Sequence, residues 1–335
     1  MDHLKSNRNT ICESRNRRRS ASSGELHGQA SSGPVPGAPL ESRGMSARLR
    51  FAVASAALPL LIGASGCGFF RQAAVSTMVP VIEQTVETLY RDRDVETIGE
   101  GIPGNLLLLR GLCESDPGNE DLWTLTTQLT FYYAVGYVED RDPERAVLLY
   151  EEGYRHGRRA LERKDWFTPD APLDRFEEGL AEADEDDVPL LFWTLANWTK
   201  WISLKLDEPA VVAQLPAAEA ALERTLALDP GYFLGMPHLM RGTLEATKPV
   251  LMGGDPEEAR SHFERAFEIS GGKLLIFHVF YAQYYWRSRL DEEQFVGTLE
   301  RVLQAEEGIL PEYRLLNEVA RRKAQRLMER RDELF

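Results

Sequence analysis

Six histidines and three cysteines are the side chains of this 335-residue chain best able to ligate a metal or to act as base or nucleophile. Their spacing serves neither purpose. His156, His238, His262 and His278 stand far apart in the sequence, with no HExxH pair and no paired cysteines, so neither a zinc site nor a catalytic site has sequence support. There is no GxSxG, phosphate-binding loop or dinucleotide fingerprint; Gly253-Gly254 and Gly271-Gly272 flank a predicted helix and read as turn and cap residues. An enzyme with a cofactor or metal is therefore not expected. The acidic run 177–187 lacks the oxygen order and central glycine of a calcium loop and reads as solvated linker. Cys113, in the apolar run LLLLRGLCES, reads as a buried structural thiol. Asn197-Trp198-Thr199 is a glycosylation sequon by pattern, but it falls on a predicted helix and is taken as accidental.

Aromatic side chains are the more informative excess. Trp193, Trp198 and Trp201 fall, at about 100° per residue, within one broad face of a helix. Phe131, Tyr132, Tyr133 and Tyr137 form a second group, and Phe280, Tyr281, Tyr284, Tyr285 and Trp286 a third. Most of these rings are expected in a core. The last group, however, covers nearly every direction around a helix, more than one buried stripe needs, so some rings must face a cavity or a partner. The candidates for an apolar ligand site are Trp198, Trp201, Tyr281, Tyr284 and Tyr285.

Charge separates the chain into a leader and a body. Residues 1–66 hold nine Lys/Arg against four acids, so the other 269 residues carry −19 within a chain total of −14. A body that acidic argues against nucleic acid or an anionic lipid surface as partner. Residues 1–44, rich in Ser, Gly, Pro and Arg, have too few apolar side chains to fold; they are expected to be disordered and not retained, translation starting at Met45. Residues 45–66 then read as a signal peptide: basic MSARLR, the apolar run 51–64, and small residues before a cysteine. The stretch LIGASGC, 61–67, resembles a bacterial lipoprotein box, which implies acylation of Cys67 and a tether over 67–80; the place three before the cysteine is Ala64 rather than the preferred leucine. A plain N-terminal helical anchor is weakened by Pro59, Gly63, Gly66 and Gly68.

The elements that must position these groups are all helices. From about residue 80 the apolar spacing runs in threes and fours, and strand signals are scarce. Asp-Pro pairs at 116, 142, 229 and 255 punctuate the helices, with Asp placed to cap and Pro at the first helical position. DPG recurs 113 residues apart (116 and 229), and DPE at the same offset (142 and 255). DPERAVLLYEEG and DPEEARSHFERA share Ala146/Ala259, Tyr150/Phe263 and Gly153/Ala266, the small, aromatic, small face of a tetratricopeptide-like hairpin. The expectation is an all-α fold of tetratricopeptide-like hairpins with insertions, one domain over 81–335, in which 116–153 and 229–266 are related.

The segments 249–273, 279–286, 314–335 and 189–202, taken with the first hairpin, resemble the T-component family of tetratricopeptide-repeat-associated tripartite ATP-independent periplasmic (TRAP) transporters. The resemblance implies a lipid-anchored periplasmic homotrimer with hydrophobic cavities. It also implies a small hydrophobic or amphipathic solute and a partnership with the TRAP solute-binding protein. An alternative from a different class is a cell-envelope interaction scaffold without a small-molecule site.

Overall fold

Asp94 caps the helix Val95–Ser115, its carboxylate accepting the Thr97 N–H at 3.0 Å. The computed structural model describes residues 75–335, and among them every regular element is a helix. The chain is helical over 75–90 (α1) and continues through α2 (Val95–Ser115) and α3 (Glu120–Tyr133). A π-helical segment, Ala134–Val138, extends α3 and precedes α4 (Pro143–Leu161). Short α5 (Leu173–Leu180) leads to the central α6 (Val188–Leu204), then to α7 (Pro209–Val212) and α8 (Leu215–Leu228). Next come α9 (Tyr232–Thr247), α10 (Pro256–Ser270) and α11 (Leu275–Phe280), which runs into a second π segment, Tyr281–Trp286. The fold closes with α12 (Glu292–Gln304), α13 (Arg314–Glu329) and α14 (Arg331–Leu334). All these helices belong to one compact unit. Cys67, the signal segment 45–66, the extension 1–44 and most of the tether 67–80 lie outside the described residues.

Both Asp-Pro-Glu marks open helices as expected: Asp142 caps α4 and Asp255 caps α10, each with proline in the first turn. The two Asp-Pro-Gly marks act differently. Asp116 and Asp229 end α2 and α8, and α3 is capped instead by Asn119, whose side-chain Oδ1 accepts the Leu122 N–H at 3.2 Å. Asp116 lies four residues before α3, too far back to reach its free amides, whereas the Asp229 carboxylate, three residues before α9, accepts the Gly231 N–H at 3.0 Å. Asp291 caps α12 without a following proline, 36 residues after Asp255. That spacing is close to the 34-residue tetratricopeptide period and passes unseen when Asp-Pro is the marker.

α3–α4 and α9–α10 form the two hairpins. Ala146, Tyr150, Ala259 and Phe263 are all fully buried. Within the second hairpin, a Cβ on Gly242 would lie 3.0 Å from the Ala259 carbonyl oxygen, so these two small residues set a close helix contact. Gly153 instead faces α6, where a Cβ would lie 2.2 Å from Asn197 Oδ1; one turn on, a Cβ on Gly157 would meet Thr194 Oγ1 at 2.0 Å.

Helix α6 is buried on almost every side and divides the interior into two cores. Phe192, Trp193 and Ala196 belong to one; Leu190, Leu191, Leu195 and Trp198 belong to the other. The expected single tryptophan face is therefore split. A helix apolar all round carries no preferred stripe, so angular proximity on its wheel does not say which neighbour a ring meets. Asn197 of the sequon is fully buried and donates to the Thr127 carbonyl at 3.1 Å. In the acidic run, Asp187 is buried rather than solvated, paired with Lys164 at 2.6 Å and accepting from Trp166 Nε1 at 2.9 Å.

Candidate ligand cavity and its polar wall

The first core is not fully filled. A cavity of about 110 Å³ lies between α1, α3 with its π segment, α6, α9, α11 and α13. Its walls are mainly aliphatic and aromatic: Leu129 from α3, Ala196 from α6, Met236 and Met240 from α9, Ile276 from α11 and Val319 from α13. Leu89 and Tyr90 of α1 and Ile98 and Ile102 of α2 also line it.

Charged groups occupy one part of the wall. Lys200 of α6, with its side chain only 9% exposed, donates to Glu139 Oε1 at 2.6 Å and to Tyr284 Oη at 2.9 Å. The Tyr150 hydroxyl donates to the other Glu139 oxygen at 2.5 Å. Burial alone would push the Glu139 carboxyl up, but the Lys200 and Lys323 ammonium groups outweigh it and hold the group below the usual carboxylate range. Burial likewise opposes the Lys200 charge, and Glu139 more than compensates, so the ammonium is held above its ordinary value. Burial raises the Tyr284 phenol to about 12 against the pull of Lys200. Nearby, Lys323 spends its three donors on both Asp140 oxygens, at 2.7 and 2.8 Å, and on the Val135 carbonyl at 3.1 Å. Glu139 and Asp140 directly follow the first π segment, where the Glu139 N–H reaches back five residues to the Ala134 carbonyl at 2.8 Å. The sequence signal for this wall was a Glu-Asp pair beside an aromatic cluster, which periodicity alone does not separate from a surface turn.

Of the five sequence-predicted ligand residues, Tyr284 lines this cavity. Tyr281 and Tyr285 stack on each other at 4.9 Å and lie against Phe263 of α10, within the core. Trp198 and Trp201 line a separate surface groove, where both stack on Tyr154, at 4.9 and 5.7 Å, and Trp198 Nε1 donates to Gln214 at 2.9 Å. Arg155, Arg158 and Arg159 lie along that groove with Glu151, Glu162 and Asp170.

Two further groups were candidates for chemistry. Cys113 is fully buried, its sulfur 3.3 Å from the Thr126 hydroxyl, and burial raises the thiol to about 11, so it is protonated at neutral pH. His238 and His262, distant in sequence, meet Nδ1 to Nδ1 at 2.9 Å, and burial together with the facing His262 lowers His238 to about 4. Among the described residues no group of three or more His, Cys, Asp or Glu is placed to hold a metal ion. None of the described helices is long and apolar enough to cross a membrane.

The cavity is thus apolar with one charged, hydrogen-bonded wall, and it lies among stacked helical hairpins. A family model for the TRAP transporter T-component matches residues 91–335. The chain belongs to that family. No curated protein matches it well enough to count as a relative. T components are accessories of TRAP transport and not an enzyme family, and the match covers every element from α2 to the C-terminus. Association with a TRAP system follows at that level.

Proposed function

We propose that this T component binds a small hydrophobic or amphipathic solute in the cavity between α1, α3, α6, α9, α11 and α13. On this reading it cooperates with a TRAP solute-binding protein at the periplasmic face of a bacterial membrane, held there by lipid on Cys67, as a homotrimer. The cavity is the observation that carries solute binding. Its volume of about 110 Å³ lies below the roughly 300 Å³ at which drug-sized pockets begin, and nearer the engineered cavity of about 150 Å³ that takes benzene. A larger solute would need the wall to move. Met236 and Met240, unbranched and adaptable, are the wall residues suited to that.

The test is mass spectrometry of molecules carried through purification of the native chain, set beside a Met240→Trp variant that fills the cavity. An apolar molecule retained by the native chain and absent from the variant supports the proposal. Equal retention, or none with no binding of added hydrophobic probes, refutes it. The groove floored by Tyr154, Trp198 and Trp201 favours the scaffold reading in that event, with peptide as its occupant.

A further inference from the structure

The residues that line the cavity grow more exposed in one direction. Along one face of α9, Met236 and Leu239 are buried, Met240, Thr243 and Leu244 are half-buried, and Thr247 is exposed, the only exposed residue of the lining. Met236 to Thr247 covers about 16 Å of helix axis. On α6 the same change occurs: Ala196, Thr199 and Lys200 are buried, and Ser203 is half-buried. The two helices start together, Trp193 Nε1 donating to Tyr232 Oη at 3.0 Å, and both line the cavity from there onward, so their C-terminal ends lie at the same end of it. Leu315, Val319 and Lys323 of α13 stay buried. Gly136 and Tyr137 of the first π segment are half-buried, but the Tyr137 ring is packed onto the α2 backbone, 2.5 Å from where a Cβ on Gly99 would stand, and fills that side.

The hydroxyl groups along α6 and α9 are already spent. Thr199 donates to the Leu195 carbonyl at 3.0 Å, Ser203 to Lys200 at 2.8 Å, Thr243 to Leu239 at 2.8 Å and Thr247 to Thr243 at 2.9 Å. Each is tied back to its own helix, so an apolar molecule passing along them takes no hydrogen bond away and strands no polar group. Past the helix ends, Leu206 after α6 and Val250 and Leu251 after α9 are exposed and offer a hydrophobic molecule apolar contact outside.

From this gradient we infer that the cavity opens at the C-terminal ends of α6 and α9, and that a hydrophobic solute enters and leaves it past Thr247. This inference rests on the cavity being the solute site.

Exchange of fluorobenzene, followed by fluorine NMR on the full chain, gives association rate, dissociation rate and Kd, and so tests it. Thr247→Trp and, on the other helix, Ser203→Trp would each place an indole across the opening. Both substitutions are expected to slow association and dissociation alike, by about tenfold or more, with Kd little changed, because an obstruction at an entrance raises the barrier without altering the bound state. The replaced hydroxyls bond only their own helix, so melting temperatures should stay near native; if one variant does not fold, the other decides. If neither tryptophan slows exchange, the inference fails while the cavity reading stands. If Kd weakens with association unchanged, these positions belong to the interior and not to an entrance, and the inference fails. If fluorobenzene does not bind the native chain, both fail.

Discussion

Replacing Lys200 with methionine tests the electrostatics of the cavity wall. Lys200 and Glu139 are 9% and 10% exposed and 2.6 Å apart, and removing one member of such a pair leaves a buried charge alone, at a typical cost of about 3–5 kcal/mol. Tyr150 still donates to Glu139, and Lys323 still acts on it, so the lower end, about 3 kcal/mol, is expected. At about 2–4 °C per kcal/mol for a body of this size, the melting temperature should fall by about 6–12 °C. The folded Glu139 carboxyl is held below its unfolded value. Its stabilisation is therefore complete above an unfolded pKa of about 4.3 and is lost as pH falls through the lower folded value. Lys200 is held above its unfolded value, so its contribution is complete below about pH 10.4 and is lost as pH rises through the folded one. In the native chain the pair should thus be pH-independent from about 5 to 9. Without Lys200, burial pushes Glu139 up, and acidification should protonate it and narrow the gap between variant and native chain. Thermal melts from pH 4.5 to 8, with the double variant Lys200→Met/Glu139→Gln as control, measure this. A neutral-pH loss under about 1 kcal/mol, a gap that does not narrow in acid, or a double variant no more stable than the single one would refute the reasoning.

Other expectations follow from packing and processing. Ala259→Leu should overpack the contact with Gly242 and cost about 1–3 kcal/mol by chemical denaturation; if 116–153 and 229–266 are copies of one hairpin, Ala146→Leu should cost a similar amount. Gly157→Ala should also destabilise the protein by about 1–3 kcal/mol, since the new methyl would fall 2.0 Å from Thr194 Oγ1 at the α4–α6 contact; an unchanged midpoint would show that the two helices are not so close in solution. Intact mass of membrane-extracted protein should place an acylated Cys67 at the N-terminus. Cys67→Ala should abolish the lipid-modified species, and an unmodified Cys67 in the native chain would exclude this form of anchoring.

Helical class was legible because three- and four-residue spacing reports a buried face directly, and Asp142-Pro143 and Asp255-Pro256 marked two helix starts correctly. The cavity was legible only in part. Periodicity says that a face is apolar, not whether the space beyond it is filled, and Tyr281 and Tyr284 look alike until the second π segment sends one to the core and the other to the cavity. Lys200 gave no signal among the apolar residues of α6, because its partner Glu139 lies 61 positions away.

The entry to α9 is strained, and it packs against Tyr90 in the cavity wall. Phe233, Leu234 and Gly235 are all left-handed, with φ of 44°, 61° and 91°, and a left-handed turn costs an L-residue roughly 1–2 kcal/mol. Glycine escapes that cost at 235, where a side chain would also meet Ile269 at 3.2 Å; Phe233 and Leu234 do not escape it. The compensation visible in the structure is aromatic. Turning the chain left-handed places the Phe233 ring 5.5 Å from Trp193, 5.2 Å from Tyr313, 6.0 Å from Tyr90 and 6.2 Å from Tyr132. Burying one large aromatic is worth about 1.5–3 kcal/mol, and each well-placed ring pair adds about 0.5–1.5 kcal/mol, enough together to offset the strain of two residues. Tyr90 and Tyr132 line the cavity, so the cluster that balances the strained turn also reaches the cavity wall, and a right-handed entry to α9 would withdraw the Phe233 ring from both tyrosines.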